Sequence, residues 1–494
     1  MLRKIRVVFA ALSFLVVTLL FLDFTGTLHL YFGWMAKVQF LPALLGLHFG
    51  VVLLMILLTL IFGRLYCSVI CPLGIFQDVV SRFAALGKGK KFRFTHSKNL
   101  VWLRFAMVAL LVVSLILGVG SVVALLAPYS SYGRIASNLF APLWQWGNNL
   151  LAHFAERADS YLFYHHEVWI KSVATLVVSA VSFVVISILA WRGGRTYCNT
   201  ICPVGTILGY LAKFSYLKPY IDTEKCNGCG LCERKCKSSC IAPKGGPIDY
   251  TRCVTCFNCL ESCKRGAIVY GHPKRGVAKE EQRVDESRRK AFLASSFVLA
   301  ASAVKAQTTG KVDGGYAVIV DKKVPKREQH IVPPGAKSPK NFASKCTGCQ
   351  LCVSVCPNKV LRPSASLSRM MQPELSYERG YCRPECTKCS EVCPAGAISP
   401  ISREEKSAIQ VGRAVWIKKN CVVVRDDVDC GNCAARCPSE AIIMVPMDPD
   451  NPSLRKIPSV NAERCLGCGA CENLCPAAPF SAIYVEGNNR HITI

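Results

Sequence analysis

The stretch Cys226-Asn-Gly-Cys-Gly-Leu-Cys-Glu-Arg-Lys-Cys236, answered downstream by Cys253-Val-Thr-Cys-Phe-Asn-Cys-Leu-Glu-Ser-Cys263, decides the fold. Cys-x2-Cys-x2-Cys-x3-Cys written twice is the spacing by which one chain holds a pair of four-iron clusters. Three close thiolates cap one cluster face while the fourth cysteine reaches to the other cluster. The spacing therefore assigns Cys226, Cys229, Cys232 and Cys263 to one cluster, and Cys253, Cys256, Cys259 and Cys236 to the other. Two details depart from the pattern: lysine rather than proline follows Cys236 and Cys263, and Cys240 competes with Cys236 as the bridging ligand.

Four more sets follow. Cys346, Cys349, Cys352 and Cys356 precede Pro357; Cys382, Cys386, Cys389 and Cys393 precede Pro394. Cys421, Cys430, Cys433 and Cys437 precede Pro438; Cys465, Cys468, Cys471 and Cys475 precede Pro476. The second and third sets have widened first spacings, as an inserted loop produces. Sequential pairing (first set with second, third with fourth) and nested pairing (first with fourth, second with third) both satisfy the spacing. Zinc is the structural alternative, but the phrase ending in Cys-Pro is typical of iron–sulfur sites. The count predicts six [4Fe-4S] clusters in α+β ferredoxin-like units of short strands and turns.

Twenty-nine cysteines in 494 residues would mean disulfides in a secreted chain, but groups this tight suit clusters. The formal charge of +28 suggests a nucleic-acid binder. Six tetrathiolate clusters at roughly −2 each remove about 12 of those charges. No nucleic-acid motif accompanies the remainder, so no nucleic-acid partner is expected. Nucleotide loops, flavin motifs and Ser/His/Asp arrangements are missing from the sequence as well. The composition points to electron transfer.

Mean hydropathy of +0.29 and 51% hydrophobic residues predict membrane segments. Four apolar runs reach bilayer length: 5–21, 38–62, 100–127 and 168–191. The connection 22–34 carries Asp23 and no lysine or arginine, whereas 63–99 holds Arg64, Arg82, Lys88, Lys90, Lys91, Arg93 and Lys98. The connection 128–167 has only Arg134 and Arg157 as basic residues. The positive-inside rule then puts the N-terminus, 63–99 and the chain after 191 in the cytoplasm of a bacterial inner-membrane, multi-pass protein. The outer 128–167 connection is aromatic (Tyr129, Tyr132, Phe140, Trp144, Trp146, Phe154, Tyr161, Phe163, Tyr164), as a headgroup-level belt or a quinone entry would be. His48 reads as a histidine deep in an apolar helix, bonded to a neighbouring helix or, with Arg134, set to bind a quinol.

Two phrases repeat: Gly63-Arg-Leu-Tyr-Cys-Ser-Val-Ile-Cys-Pro-Leu-Gly74 and Gly194-Arg-Thr-Tyr-Cys-Asn-Thr-Ile-Cys-Pro-Val-Gly205. Each closes a helix pair, so the region reads as a duplicated two-helix unit. Cys67 with Cys71, and Cys198 with Cys202, share a helix face four residues apart. They suit a metal site, a thiol pair or a redox disulfide, against the plainer reading of small packing residues.

Between the two groups of clusters lies Ser287-Arg-Arg-Lys-Ala-Phe-Leu-Ala-Ser-Ser-Phe-Val-Leu-Ala-Ala-Ser-Ala-Val-Lys-Ala306. Paired arginines before an apolar run read as a twin-arginine-like signal. It predicts an uncleaved fifth crossing, with a linker that stays inside as the alternative. Clusters are assembled in the cytoplasm, so a folded four-cluster unit must be exported whole. The expected domains are 1–220 (helical membrane domain), 221–286 (cytoplasmic two-cluster unit), 287–306 (fifth segment) and 307–494 (periplasmic four-cluster unit). The last opens with a tether and an entry strand over 316–320.

The helical part with its GRxYCxxxCPxG phrases and two-cluster unit resembles NapH, the membrane quinol-dehydrogenase component of periplasmic nitrate reductase systems. The double-arginine stretch and four clusters resemble the exported ferredoxins NapG and MauM, as if the two were fused. The CxxxCP phrase also occurs in NosR and in the copper-reducing factor CcoG. The resemblance implies oxidation of a quinol from the membrane pool and delivery of electrons to a periplasmic cytochrome c or reductase within a redox complex. It places Cys67, Cys71, Cys198 and Cys202 near the quinol-linked step. The alternative it implies is a metalloenzyme maturation or copper-reducing factor.

Overall fold

The computed structural model describes residues 1–23, 25–88, 94–160, 162–243, 246–272, 321–451 and 455–494. The 287–306 stretch and the 316–320 strand lie outside them, as does Tyr161. Helix α1 (Leu2–Leu22) and, later in the chain, α7 (Val173–Gly193) have 21 residues each. At 1.5 Å per residue each spans about 30 Å, and by length and composition these two are long and apolar enough to cross a membrane.

The other two apolar runs are shorter helices, α2 (Phe49–Phe62) and α5 (Val101–Ile116), where the sequence predicted continuous spans. In the first, the short helix Phe40–Leu45 ends at Gly46, and Leu47 takes a positive φ of 55° before α2 begins. In the second, Gly118 at φ 70° breaks the run, and the short helix Gly120–Leu126 follows. Gln372 packs so closely on Gly120 that a β-carbon there would collide with its amide.

The repeated phrases fold alike. Short helices α3 (Leu65–Val69) and α8 (Thr196–Thr200) lead into α4 (Pro72–Lys88) and α9 (Pro203–Ala212). Proline at the first position of α9 suits a helix start, where the missing N–H has no partner to lose. Between α5 and α7, helix α6 (Pro128–Ile135) is buried along its whole length. Tyr132 packs on Phe14 and Phe76 with ring centroids 5.4 and 6.4 Å away, and Tyr129 on Phe21 at 5.7 Å. Tyr129 and Tyr132 therefore leave the expected aromatic belt for the core, at 1% and 0% exposure; Trp144, Trp146, Phe154 and Tyr164 stay exposed. Small neighbours allow this: at Gly133 an added β-carbon would strike Phe21 and the Cys349 carbonyl.

Two cysteine-rich units cap opposite ends of the helices. In the first, β1 (Lys218–Ile221) pairs antiparallel with β2 (Ile268–Gly271), Ile221 opposite Ile268. It meets the N-terminal end of α1 through the Arg3–Glu261 ion pair, and the C-terminal end of α2 through Tyr270 Oη donating to Phe62 O at 3.0 Å. Arg104 of α5 donates to Thr251 O at 3.1 Å, and Arg195 N, just beyond α7, to Lys237 O at 2.8 Å.

The second unit pairs β3 (Leu361–Pro363) with β4 (Pro373–Leu375), β5 (Ile409–Trp416) with β8 (Ile483–Thr493), and β6 (Ile442–Pro446) with β7 (Lys456–Val460), all antiparallel. It meets the far ends of the same helices. Lys388 Nζ donates to Thr25 O at 3.5 Å beyond α1, Gly396 lies against Gly46 before α2, and Gln372 lies against Gly120 beyond α5. Arg362 and Arg379 stack over Trp169 before α7 at 4.9 and 5.1 Å.

Candidate functional site

The cysteines gather into quartets. Cys226, Cys229, Cys232 and Cys263 line one cavity, and Cys236, Cys253, Cys256 and Cys259 line a second together with Cys240. Cys236 Sγ and Cys240 Sγ lie 3.4 Å apart. That contact draws the Cys236 thiol down while it pushes Cys240 up.

In the second unit Cys346, Cys349 and Cys352 share a cavity with Cys393; Cys421, Cys430 and Cys433 share one with Cys475. Cys389 lies in electrostatic reach of Cys382, Cys386 and Cys356, and Cys471 of Cys465, Cys468 and Cys437. The arrangement is the sequential pairing; the nested one does not occur. The sequence could not choose, because spacing fixes the reach of a loop but not the fold that brings its ends together.

A residue in the left-handed region precedes the short helix that carries the third cysteine in four sets. Gly230 and Gly469 adopt it freely, while Phe257 and Gln350 do so at φ 60° and 65°. Backbone N–H groups turn onto sulfur: Gly348 to Cys346 at 3.4 Å, Ala414 to Cys465 at 3.4 Å and Ala482 to Cys475 at 3.3 Å. Apolar-lined cavities ringed by four thiols with N–H donors on sulfur fit a tetrathiolate cluster, whose negative charge such donors stabilise.

The quartets of the second unit form a file. Cys349 and Cys393 lie beside Tyr129 of α6, against the helices. Cys382 N donates to Cys468 O at 2.9 Å, which joins the second set to the fourth, and the fourth shares Cys475 with the third. Fully buried Tyr377 stands at that joint, its hydroxyl donating to Gly467 O at 2.7 Å.

The two repeated phrases interlock. Cys67, Cys71, Cys198 and Cys202 are each 4% exposed and carry no disulfide. Arg195 Nη1 of the second copy donates to Cys67 O of the first at 2.5 Å; Arg64 Nη2 of the first donates to Cys198 O of the second at 3.4 Å. A β-carbon at Gly74 or Gly205 would collide with these carbonyls, which is why both phrases end in glycine. Gln77 Nε2 donates to Cys198 Sγ at 3.1 Å. Asp78 receives Arg195, Arg6 and Lys237 together. Sequence reasoning missed Gln77 and Asp78. The second copy has Leu208 and Gly209 at the matching positions, and that difference was the available signal.

The two quinol candidates are not brought into one site. Arg134 is completely buried, with Nη1 on Ala124 O at 2.6 Å and Nη2 on Ser131 Oγ at 3.3 Å. It lies in electrostatic reach of both Tyr197 and Cys349. His48 is not deep in a helix: it is exposed at the start of α2, because the chain breaks at Gly46 and Leu47. Its ring shares the surroundings of Gly46 with the carbonyl of Pro394, the residue after Cys393.

Comparison with known proteins matches the chain to iron–sulfur family models. A 4Fe-4S binding domain matches residues 43–92 and 175–219, and a second such domain 219–242. 4Fe-4S dicluster domains match 345–397 and 428–478, and, by another model, 249–360. The methylamine utilization ferredoxin-type protein MauM of Methylobacillus flagellatus is 33% identical over 148 residues, which is 29% of this chain and 62% of that protein. MauM of Methylophilus methylotrophus is 31% identical over 164 residues, 32% of this chain and 71% of that protein. The ferredoxin-type protein NapG of Escherichia coli K12 is 31% identical over 154 residues, 29% of this chain and 64% of that protein. The chain thus spans somewhat under two thirds of two of these three relatives. No solved structure matches it.

Proposed function

The chain belongs to the family of MauM ferredoxin-type proteins, and we propose that it is a membrane-bound quinol-oxidising conduit that passes electrons outward through its cysteine quartets. That it is a ferredoxin-type 4Fe-4S electron-transfer protein follows from the family models and relatives. Six clusters, the quinol and the crossing of the bilayer are the further reading. When bound, such a cluster takes up and gives back one electron at a time.

The observation that carries the reading is the file of quartets. It starts where Cys349 and Cys393 meet the helix ends and runs away from them through the Cys382–Cys468 contact. Two capping units about 30 Å apart along α1 support opposite sides of a bilayer. The basic residues concentrated in 63–99 support a cytoplasmic side for the two-cluster unit. The quinol headgroup would dock at exposed His48, beside Pro394 and the first quartet. Oxidation to the quinone releases two electrons and two protons; the exposed His48 imidazole would accept the protons one after the other and hand each to solvent. Arg134 and Tyr129, buried between helices and quartet, keep water out and face the charge that arrives.

The experiment is electron paramagnetic resonance on the purified full chain mixed anaerobically with a menaquinol analogue. Cluster signals should appear, and more slowly in His48→Gln. If no quinol reduces any cluster, the conduit reading is wrong.

A further inference from the structure

We infer that Cys67, Cys71, Cys198 and Cys202 together ligate one further iron–sulfur cluster, shared between the two copies of the repeat and additional to the ferredoxin quartets. The matched segments 43–92 and 175–219 hold two cysteines each, too few for a cluster alone. The fold supplies each with the other's pair.

Hydrogen bonding is the first ground. Every one of the four sulfurs accepts from a donor: Cys67 from Arg64 Nη2 at 3.8 Å, Cys198 from Gln77 Nε2 at 3.1 Å, and Cys202 from Gly205 N at 3.3 Å. Cys71 accepts from Gly74 N, the matching glycine of the first copy. A neutral thiol is a weak acceptor, whereas a thiolate is a strong one. The same backbone N–H to sulfur contact recurs at Cys346 in a ferredoxin quartet.

Charge is the second ground. Arg6, Arg64, Arg195 and Lys237 are all buried here, and Asp78 is the carboxylate that three of them share. Arg64 is fully buried and donates to Asn199 Oδ1, to the carbonyls of Thr251 and Cys198, and to Cys67 sulfur; its Nε has no partner among the described residues. A buried guanidinium demands a counter-charge, and a tetrathiolate cluster carries one.

Proximity is the third ground. Cys202 lies in electrostatic reach of Cys198, Cys71 and Cys67, and Cys71 of Cys198 and Cys67, so the two pairs meet as one group of four thiols.

The position suits a relay. Asn199 touches Ser238 O and Arg64 touches Thr251 O, both in the two-cluster unit. On the other side Tyr197 reaches Ser131 and Arg134, which faces Cys349. One electron enters and one leaves, with no bond made or broken. The relay would join the two-cluster unit to the start of the proposed conduit and rests on that reading; the existence of the cluster does not.

The test is iron and acid-labile sulfide per chain, with Mössbauer spectra, on the anaerobically purified full-length holoprotein. Iron should exceed what six four-iron clusters account for, and Cys67→Ser and Cys202→Ser should each remove the excess and spare the rest. No excess in the wild type, or an excess that survives Cys67→Ser, overturns the inference. Because a cysteine variant can fail to fold, Arg64→Gln, which keeps all four ligands, is measured too. It should lower the reduction equilibrium of this cluster about tenfold, about 59 mV for one electron, and an unshifted potential removes the charge argument. Excess iron without reduction by quinol defeats the conduit alone; reduction by quinol without excess iron defeats this inference alone.

Discussion

Asp78 holds Arg195 through two parallel hydrogen bonds, Nε to Oδ1 at 2.7 Å and Nη2 to Oδ2 at 2.8 Å, and so ties one copy of the repeated phrase to the other. Burial pushes the Asp78 carboxyl up, but Arg195, Lys237 and Arg6 outweigh it and hold it below its ordinary value. A depressed carboxyl adds stability above its unfolded value, about pH 4, and loses it as pH falls below that. Asp78→Asn leaves buried cations without their carboxylate and should cost about 3–5 kcal/mol. It should also flatten the acid limb of the stability profile. Thermal unfolding in detergent across pH checks both; a variant as stable as wild type at neutral pH would refute the clamp.

Arg134 and Tyr129 face the quartet of Cys346, Cys349, Cys352 and Cys393 from the helix side, and the Tyr129 hydroxyl has no partner among the described residues. A buried cation and a free donor stabilise the more negative, reduced cluster. Arg134→Gln should therefore lower one midpoint potential by roughly 60 mV or more, about a tenfold change. Tyr129→Phe should shift it less, in the same direction. Redox titration followed by electron paramagnetic resonance reads this directly, and a uniform small shift of every signal would point to a general loss of packing instead.

The cysteine spacing was legible because thiolate geometry around a cube of fixed size leaves few choices. The helices were legible as apolar runs, but not their breaks. Leu47 and Gly118 interrupt spans whose composition alone reads as continuous, and Gln372 of a remote unit presses on Gly120, where the chain resumes its helix after the second break. Tyr129 and Tyr132 read as an interfacial belt because aromatic content records hydrophobicity, not which neighbours are small enough to admit a ring. The interlocking of Arg64 with Cys198 and Arg195 with Cys67 was half visible. Repetition announced a paired unit, yet the exchange of arginines between copies exists only in three dimensions.

Cys236 and Cys240 offer a test of ligand choice. Their sulfurs are 3.4 Å apart at one cavity, and Cys236 keeps the regular spacing. Cys240→Ser should leave all cluster signals in place. Cys236→Ser should retain a cluster with an altered signal, because Cys240 stands ready to replace the missing ligand. The double variant should lose that cluster outright. If Cys240→Ser alone abolishes it, the assignment of Cys236 is reversed.

The seam between the helices and the four-cluster unit separates exposed charge from stacked area. Glu167 pairs with Lys359 at 2.9 Å and Arg379 at 2.6 Å, yet its side chain is 62% exposed. Those two hydrogen bonds draw its carboxyl down to about 2, so the pair persists above about pH 4 and weakens only as pH falls toward 2. Exposed pairs contribute about 0–1 kcal/mol, and Glu167→Gln should change the unfolding midpoint little, with less effect still at high salt. Trp169 carries two guanidiniums on one ring, Arg362 and Arg379, at 4.9 and 5.1 Å. Each such contact is worth about 0.5–2 kcal/mol, so Trp169→Ala should loosen the seam where Glu167→Gln does not. Hydrogen exchange over 359–379 in both variants reads the difference, and equal protection in the two would mean that the ring does not hold the unit in place.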